Sequence, residues 1–513
     1  MSFVTTSTPA AQGVAATAVD DLVSALERQP GADPHSLMVL RHGHVVAAGW
    51  WRPYSPERTH LLYSLSKSFT VTAAALAMAD GLLGLDDPVV AHFPELDGPD
   101  LAPASSQILV RHLASMSTGH TYDTWDAAKA ADPADPVRGF LSLPPERAPG
   151  SLFTYNQSAT YTLGAIVQRI YGRTLRSLLW ERLLGPMGAD RIYWEQYPEG
   201  RDMAFSGLYA TTRTIALLGQ LYLEGGRWAG EQVLPPDWVA IASRPHVATA
   251  GVPGAESRAE TPDWLEGYGT HFWMSRHGYR GDGAYGQLCL VLPEHDAVVA
   301  VTSQSDDIQY LLDAVWEHLL PGLHPEPLPP TTADDALARR LSGLVVPGRQ
   351  EGKGPPDGAV GRGTGAQAGP LEGLRQDGPG DGPPAAEWVS VELTHEVVTD
   401  EPGPLPQSVV LSNRDGLWCL TLREPGWETE VVVGMGEWAV AEPGPGTARA
   451  PTAGVGRWET PDILRTQVIF LETPHRMELY CDVRRRVFQA RWVTNPLFVE
   501  RLQELCPHRD LVP

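Results

Sequence analysis

The stretch Tyr63-Ser64-Leu65-Ser66-Lys67-Ser68-Phe69 sets the interpretation of this 513-residue chain. It places Ser64 and Lys67 in a Ser-x-x-Lys spacing, and the Ala-rich residues that follow predict a helix over 66–81. In such a helix Ser64 lies at the N-terminus, with Lys67 one turn further along on the same face. A serine becomes nucleophilic when a nearby base takes its proton. A lysine can be that base once burial lowers its pKa.

Lysine is rare in this chain, which makes its position informative. Three of the 39 Lys and Arg residues are lysines, so arginine is the usual cation. Arginine does not deprotonate in proteins and cannot act as a base. A position that keeps lysine is therefore a candidate for proton transfer. The alternative is an ordinary surface lysine in the first turn of a helix, and the spacing alone leaves that alternative open.

A second candidate for proton transfer is Tyr155. It precedes a predicted helix over 158–171, at a turn from which a phenol can project into a cleft. Asn156 and Gln157 follow it and are candidates for hydrogen bonds to Lys67 or to a substrate. Taken alone, Tyr155 also fits a buried tyrosine of the core.

Together these segments resemble the serine β-lactamase/penicillin-binding-protein superfamily, above all the class C β-lactamase-like esterases, over about residues 10–325. The motifs that carry the resemblance are, in chain order, Leu40-Arg41-His42-Gly43, the Ser-x-x-Lys stretch, Asp86-Asp87-Pro88, residues 110–119, the Tyr155 turn and residues 207–212. The resemblance implies an α+β fold, with an antiparallel sheet flanked by helices, a helical region inserted between strands, and the site in the cleft between them. It implies that Ser64 is acylated, while Lys67 and Tyr155 share the general-base and general-acid roles in an order that the sequence leaves open.

The family also has a Lys-Thr-Gly or His-x-Gly motif on the strand that faces the nucleophile. The best match here is Gly281-Asp282-Gly283. The resemblance implies that glycine allows close backbone approach, and that the N–H groups of Ala284 and Ser64 form an oxyanion hole. Asp282 stands where a cation helps to bind a substrate carboxylate, and Arg280, two residues away on the same face of a regular strand, is expected to compensate in part for the missing cation. This predicts poor action on anionic β-lactams and better action on neutral or cationic esters or amides. The alternative for Asp282 is a residue of a glycine-flanked turn.

Composition narrows the possible partners. A net charge of −23 argues against binding to nucleic acid or to an anionic membrane. Residues 1–19 lack the pattern of a signal peptide, and no apolar run approaches membrane-spanning length. Four dispersed cysteines, without a Cys-x-x-Cys pair, predict reduced thiols in a cytoplasmic protein. No metal or organic cofactor is expected, because the mechanism needs only side chains and water.

The chain divides by composition into three parts. Residues 10–325 form the hydrolase-like domain, 326–386 are a Pro- and Gly-rich linker that is expected to be partly disordered, and 387–513 form a β-rich domain. In the last part, regularly spaced segments with period-2 alternation predict an antiparallel barrel or curved sheet that ends in a short helix over 495–505. Five tryptophans of this part either anchor its core or line a ligand pocket, and the core is the more ordinary interpretation: Trp418, Trp427, Trp438, Trp458 and Trp492.

The sequence therefore predicts a serine hydrolase that cleaves a small ester or amide through an acyl-enzyme on Ser64, with a carboxylesterase-like activity. The alternatives are a D-amino-acid peptidase or amidase, a weak β-lactamase, and a non-catalytic protein that keeps the fold to bind a ligand. The substrate and the oligomeric state are left open.

Overall fold

A computed structural model describes residues 4–96, 101–249, 262–347, 390–396, 403–414, 416–444 and 449–505. They belong to two compact units, one that ends at Leu344 and one that begins at Val345. Residues 326–347, at the start of the expected linker, contain a helix over Thr332–Ser342. The remainder of the expected linker, 348–386, lies outside the described residues.

The N-terminal unit is built on a seven-stranded sheet. The described strands of the whole unit, in the large sheet and in two small ones, are β1 (Thr5–Thr6), β2 (Asp33–Arg41), β3 (His44–Trp50), β4 (His60–Leu61), β5 (Tyr193–Trp194), β6 (Leu208–Ala210), β7 (Arg227–Trp228), β8 (Glu231–Gln232), β9 (Trp273–Ser275), β10 (Gly278–Gly283), β11 (Gln287–Leu292) and β12 (Ala297–Gln304). The order in the large sheet is β1-β3-β2-β12-β11-β10-β9, and only the short β1 pairs in parallel. Every residue of β2, β11 and β12 is buried, so helices and loops cover both faces of the sheet centre.

Helices surround this sheet. The described α-helices are α1 (Ala16–Arg28), α2 (Ser66–Ala79), α3 (Val110–Ala114), α4 (Trp125–Ala131), α5 (Pro136–Ser142), α6 (Gln157–Tyr171), α7 (Leu175–Leu179), α8 (Thr212–Leu223), α9 (Trp238–Ala242), α10 (Ile308–Ala314) and α11 (Thr332–Ser342). Helix α8 packs on β2, β11 and β12, and α3 to α7 are supplied by the region between β4 and β6. This α+β arrangement confirms the predicted fold class.

Helix α2 is buried on all sides from Ser66 to Ala77. Small alanine side chains let neighbouring elements approach it closely, and α6 packs against it. The predicted helix over 66–81 ends slightly earlier, at Ala79, because Gly81 adopts a left-handed conformation with φ 70°. Helix α10 continues into a π-helical turn, Val315–Leu319.

The C-terminal unit is a closed barrel. Its described strands are β13 (Ser390–His395), β14 (Ser408–Arg414), β15 (Leu417–Glu424), β16 (Trp427–Met435), β17 (Ala439–Ala441), β18 (Thr452–Thr460), β19 (Ile463–Phe470), β20 (Arg476–Asp482) and β21 (Val487–Trp492). Parallel pairings of β13 with β21 and of β16 with β18 close the sheet on itself. The predicted barrel is confirmed, although these two junctions are not antiparallel. The predicted helix over 495–505 is wrong, since the described part holds only a 3-10 turn, Leu502–Leu505.

The barrel interior is filled by apolar side chains. Trp418, Trp458 and Trp492 are all buried within this core. Trp427 packs against the core from a half-buried position, and the Trp438 indole donates a hydrogen bond to the carbonyl oxygen of Val346 at 2.9 Å. The three buried tryptophans therefore act as core anchors, which agrees with the more ordinary of the two interpretations.

Candidate active site

Ser64 and Lys67 meet where the chain enters α2. Ser64 lies in the 3-10 turn Tyr63–Leu65 that leads directly into the helix, and Tyr63 has a positive φ of 47°. The Lys67 ammonium nitrogen Nζ donates a hydrogen bond to Ser64 Oγ at 2.9 Å and another to the carbonyl oxygen of Phe205 at 2.9 Å. This is the geometry that a base needs to remove the hydroxyl proton once the amine is neutral.

The surroundings of Lys67 favour the neutral amine. The side chain is 1 % exposed, and burial lowers its pKa from 10.5 to about 7. The carboxylates of Asp123 and Asp282 act in the opposite direction and limit how far this pKa falls. A substantial fraction of Lys67 is therefore unprotonated at neutral pH, whereas an exposed lysine is almost fully charged.

Tyr155 also lies beside the nucleophile. The Lys67 nitrogen lies 4.7 Å from the centre of the Tyr155 ring, and that ring stacks on Trp273 at 5.8 Å. Burial raises the pKa of the Tyr155 phenol well above its usual range, and a hydrogen bond with Ser64 only partly offsets this. At neutral pH Tyr155 therefore carries its proton, so it is suited to donate one rather than to accept one.

The strand that faces the nucleophile requires its two glycines. A Cβ atom at Gly283 would lie 2.1 Å from the carbonyl oxygen of Leu62, and one at Gly281 would lie 2.4 Å from Ser68 Oγ. Strand β10 can therefore lie directly against the turn that carries Ser64. Ala284 follows this strand and lines the same pocket as Ser64, which is the placement that the expected oxyanion hole needs.

Asp282 lies within β10, between these glycines, and not in a turn as the alternative interpretation supposed. Its carboxylate pairs with Arg280, Nε to Oδ2 at 2.9 Å, and the Trp273 indole donates a further hydrogen bond to it. Arg280 is fully buried, with its guanidinium carbon 4.3 Å from the Trp264 ring centre. The expectation that Arg280 compensates for the missing cation is therefore not met, because its charge is used inside the protein.

Asn156 and Gln157 do not line the pocket that contains Ser64. The Asn156 side-chain oxygen caps α6 by accepting from the Ser158 N–H at 3.1 Å, and it also accepts from the Thr124 N–H and hydroxyl. The Lys67 hydrogen bonds go to Ser64 Oγ and to the carbonyl oxygen of Phe205, so the expected contact of Asn156 or Gln157 with Lys67 is not among them. Asn156 instead joins the start of α6 to the loop before α4.

The pocket around the nucleophile has a volume of about 480 Å³. Its described lining is Ser64, Tyr155, Trp264, Trp273, Asp282, Gly283, Ala284, Asp306, Asp307, Ile308 and Gln309. Sequence reasoning missed Trp264, Trp273 and residues 306–309 of this lining. It also missed Asp123, whose carboxylate raises the pKa of Lys67. Asp123 accepts hydrogen bonds from the N–H groups of Gln157 and Trp125. In the sequence it precedes a helix in the usual manner of a capping residue, so no local signal marks it for the site.

Two further observations bear on the expected partners. Within the described ranges, no group of three or more His, Cys, Asp or Glu side chains is arranged to hold a metal ion. None of the helices that the structure describes is long and apolar enough to span a membrane.

Comparison with known proteins gives a family match and several similar proteins. The model of the family described as Beta-lactamase matches residues 19–317. The 6-aminohexanoate-dimer hydrolase of Paenarthrobacter ureafaciens is 29 % identical over 319 residues, which cover 57 % of this chain and 77 % of that protein. The solved structure of EstCE1, described as a hydrolase with promiscuous acyltransferase activity, is 18 % identical and covers 58 % of this chain and 98 % of its own, with a TM-score of 0.47. The structure of SurE is 17 % identical and covers 87 % of this chain and 95 % of its own, with a TM-score of 0.45.

The fold and the Ser-x-x-Lys pair define a hydrolase of the serine β-lactamase type. The family model matches more than half of the chain, and the chain therefore belongs to the beta-lactamase family.

Proposed function

We propose that this hydrolase cleaves a small ester or amide through an acyl-enzyme on Ser64, with a carboxylesterase-like activity. The observation that supports this most directly is the 2.9 Å contact between Ser64 Oγ and Lys67 Nζ, an amine whose pKa is lowered to about 7. A non-catalytic binding protein would have no need for a buried, partly neutral lysine against a serine hydroxyl.

In the proposed reaction, neutral Lys67 takes the proton of Ser64 as Oγ forms a bond to the substrate carbonyl carbon. The carbonyl oxygen becomes negative and accepts hydrogen bonds from the N–H groups of Ser64 and Ala284. When the tetrahedral intermediate collapses, the bond to the leaving group breaks and Tyr155 gives its proton to that group. The proton on Lys67 then restores the phenol. Water then attacks the acyl carbonyl carbon and gives a proton to neutral Lys67. The bond between that carbon and Ser64 Oγ breaks, and Oγ regains a proton, which releases the acid and free Ser64.

Amide cleavage is the second candidate activity, and the relative from Paenarthrobacter ureafaciens supports it by its name. An amine leaving group must be protonated as it departs, and Tyr155 keeps its proton because burial raises its pKa. A reducing, cytoplasmic setting is also part of the proposal. Its support is that the three described cysteines, Cys289, Cys419 and Cys481, are buried free thiols.

Intact-mass spectrometry after treatment with a fluorophosphonate probe tests the nucleophile. A single adduct is expected on the wild type and on a matched control, Ser106→Ala, whose hydroxyl is exposed and bonds only its own turn. No adduct is expected on Ser64→Ala. Folded wild-type protein that takes up no probe, or a Ser64→Ala variant that still does, would reject the proposed function.

A leaving-group comparison then separates the two activities. p-Nitrophenyl acetate and the matching p-nitroanilide share one acyl group and differ in whether an ester or an amide is cleaved. Turnover of the ester alone supports the carboxylesterase-like activity, and turnover of the anilide at a comparable rate supports the amide hydrolase.

A further inference from the structure

The nucleophile pocket carries an excess of negative charge. Three of its lining residues are aspartates, Asp282, Asp306 and Asp307, and the described lining contains no lysine, arginine or histidine. Asp306 and Asp307 precede α10, are exposed to solvent and line the pocket. A carboxylate on a substrate would be repelled here, and a cation would be attracted.

Of these three carboxylates, Asp282 is paired with Arg280, so the uncompensated negative charge of the pocket comes from Asp306 and Asp307. Lys67 gives its hydrogen bonds to Ser64 and to a backbone carbonyl oxygen. Arg280 gives its hydrogen bonds to Asp282, to the hydroxyl of Ser275 and to two backbone carbonyl oxygens, and it is fully buried. Lys67 and the Nε and Nη1 atoms of Arg280 are therefore bonded to the protein itself, and Nη2 of Arg280 is buried, so neither cation is presented to an incoming anion.

The remaining pocket wall is aromatic. Trp264 and Trp273 lie with their ring centres 6.2 Å apart, and both line the cavity. An aromatic face attracts a cation through its quadrupole, with tryptophan the strongest of the side chains in this respect. Rings beside exposed carboxylates favour an organic ammonium group over an anion, and also over a neutral group of the same shape.

The geometry points to a substrate that carries an organic cation, held by Asp306 and Asp307 against Trp264 while its ester or amide carbonyl lies at Ser64. This inference rests on the proposed function and adds to it the chemical class of the substrate and the residues that select it. Asp307 has a second role, since its Oδ1 accepts the N–H of Tyr310 and caps α10 at 3.0 Å.

Two pairs of esters that differ only in charge test the inference. The first pair is the p-nitrophenyl esters of 4-(trimethylammonio)butanoate and 5,5-dimethylhexanoate, which place the cation in the acyl part. The second pair is acetylcholine and 3,3-dimethylbutyl acetate, which place it in the leaving group. In at least one pair, kcat/KM is expected to be about tenfold or more higher for the cationic ester, because the pocket binds its charge in the transition state.

The variant Asp306→Asn/Asp307→Asn is the direct test of the assigned residues. Asparagine remains a good N-cap, so α10 keeps its start. The ratio of kcat/KM between cationic and neutral esters is expected to fall below about threefold in this variant. The control Asp21→Asn/Asp335→Asn removes two exposed carboxylates that do not line the pocket, and it is expected to keep the wild-type ratio.

The outcomes separate this inference from the proposed function. Equal or lower kcat/KM for the cationic member of both pairs overturns the cation preference, while hydrolysis itself still supports a serine hydrolase. A preference that survives in Asp306→Asn/Asp307→Asn overturns the assignment to these residues. If none of the four esters is hydrolysed although Ser64 reacts with the fluorophosphonate, the inference about the cationic substrate is overturned. If none is hydrolysed and Ser64 does not react either, the proposed function is also rejected.

Discussion

The ionisation of Lys67 should be visible in the pH dependence of Ser64 acylation. Burial lowers the pKa of this amine from 10.5 to about 7. That difference corresponds to about 5 kcal/mol by which the protein disfavours the charged form relative to water. Since only the neutral amine can take the Ser64 proton, the rate should follow the neutral fraction, which is low in acid and saturates in base.

The expected profile is specific in position and height. With a pKa near 7, the neutral fraction is about 9 % at pH 6 and about 91 % at pH 8. The pseudo-first-order rate of labelling by a fluorophosphonate should therefore rise about tenfold from pH 6 to pH 8 and then level off. Labelling followed by intact mass measures this rate without any assumption about the natural substrate.

Two variants distinguish the possible bases. Lys67→Arg keeps the charge but cannot deprotonate, so labelling should fall by about a thousandfold at every pH. Tyr155→Phe should lower the rate and leave the rise near pH 7 in place. A wild-type rate that keeps increasing beyond pH 9 would refute the reasoning, because it would mean an ordinary lysine or a Tyr155 phenolate as the base, given the raised pKa of that phenol.

Three further changes have expected outcomes. Asp123→Asn removes a charge that holds up the pKa of Lys67, so the midpoint of the labelling profile should move to lower pH. Gly283→Ala places a Cβ 2.1 Å from a backbone oxygen of the nucleophile turn and should lower kcat/KM for an ester by about a hundredfold. Asp282→Asn leaves the buried Arg280 without its paired carboxylate and should destabilise the fold by about 3–5 kcal/mol in urea unfolding. Benzylpenicillin, an anion, should be hydrolysed far more slowly than a simple neutral ester, because Asp306 and Asp307 add negative charge to the pocket lining.

Each of these expectations has a matched comparison. An unmoved midpoint in Asp123→Asn would show that its carboxylate does not act on Lys67. Gly343→Ala, where the nearest atom to the added Cβ is 3.5 Å away, should leave kcat/KM unchanged. The double variant Arg280→Met/Asp282→Asn should recover most of the lost stability, since it removes the unpaired charge. Turnover of benzylpenicillin at a rate comparable to that of esters would contradict the charge argument.

The parts of the site that could be predicted are those that local sequence determines. Ser64 and Lys67 are three residues apart on one helix, so helical geometry alone brings them together. Tyr155 could be placed at a turn before α6 because the helical pattern begins directly after it. The alternation of apolar residues likewise predicted most strands of the barrel, but not the short β17 or β18, and glycines interrupt the pattern of β18.

The remainder of the site depends on tertiary placement. Asp123, Trp264 and Asp306 come from segments far apart in the chain, and nothing in their immediate neighbours indicates that they converge on one region. The Gly281-Asp282-Gly283 stretch has the composition of a turn, yet it forms a strand because α2 packs against the space that its glycines leave open. The closeness of Arg280 and Asp282 could be predicted only on the condition that this segment is a strand, since residues two positions apart lie on the same face only in an extended strand.

An acid at position 282 acts on both the base and the substrate. Burial alone would lower the pKa of Lys67 further, and a base that is too weak removes the Ser64 proton poorly. The carboxylate of Asp282 counters this lowering and stabilises the positive charge that Lys67 gains during acylation. A lysine in its place would lower the pKa of Lys67 instead, and it would also attract carboxylates to the pocket. Asp282 in place of a cation therefore tunes the base toward neutral pH and also removes a positive charge that would attract anions, while Asp306 and Asp307 supply the preference for a cation.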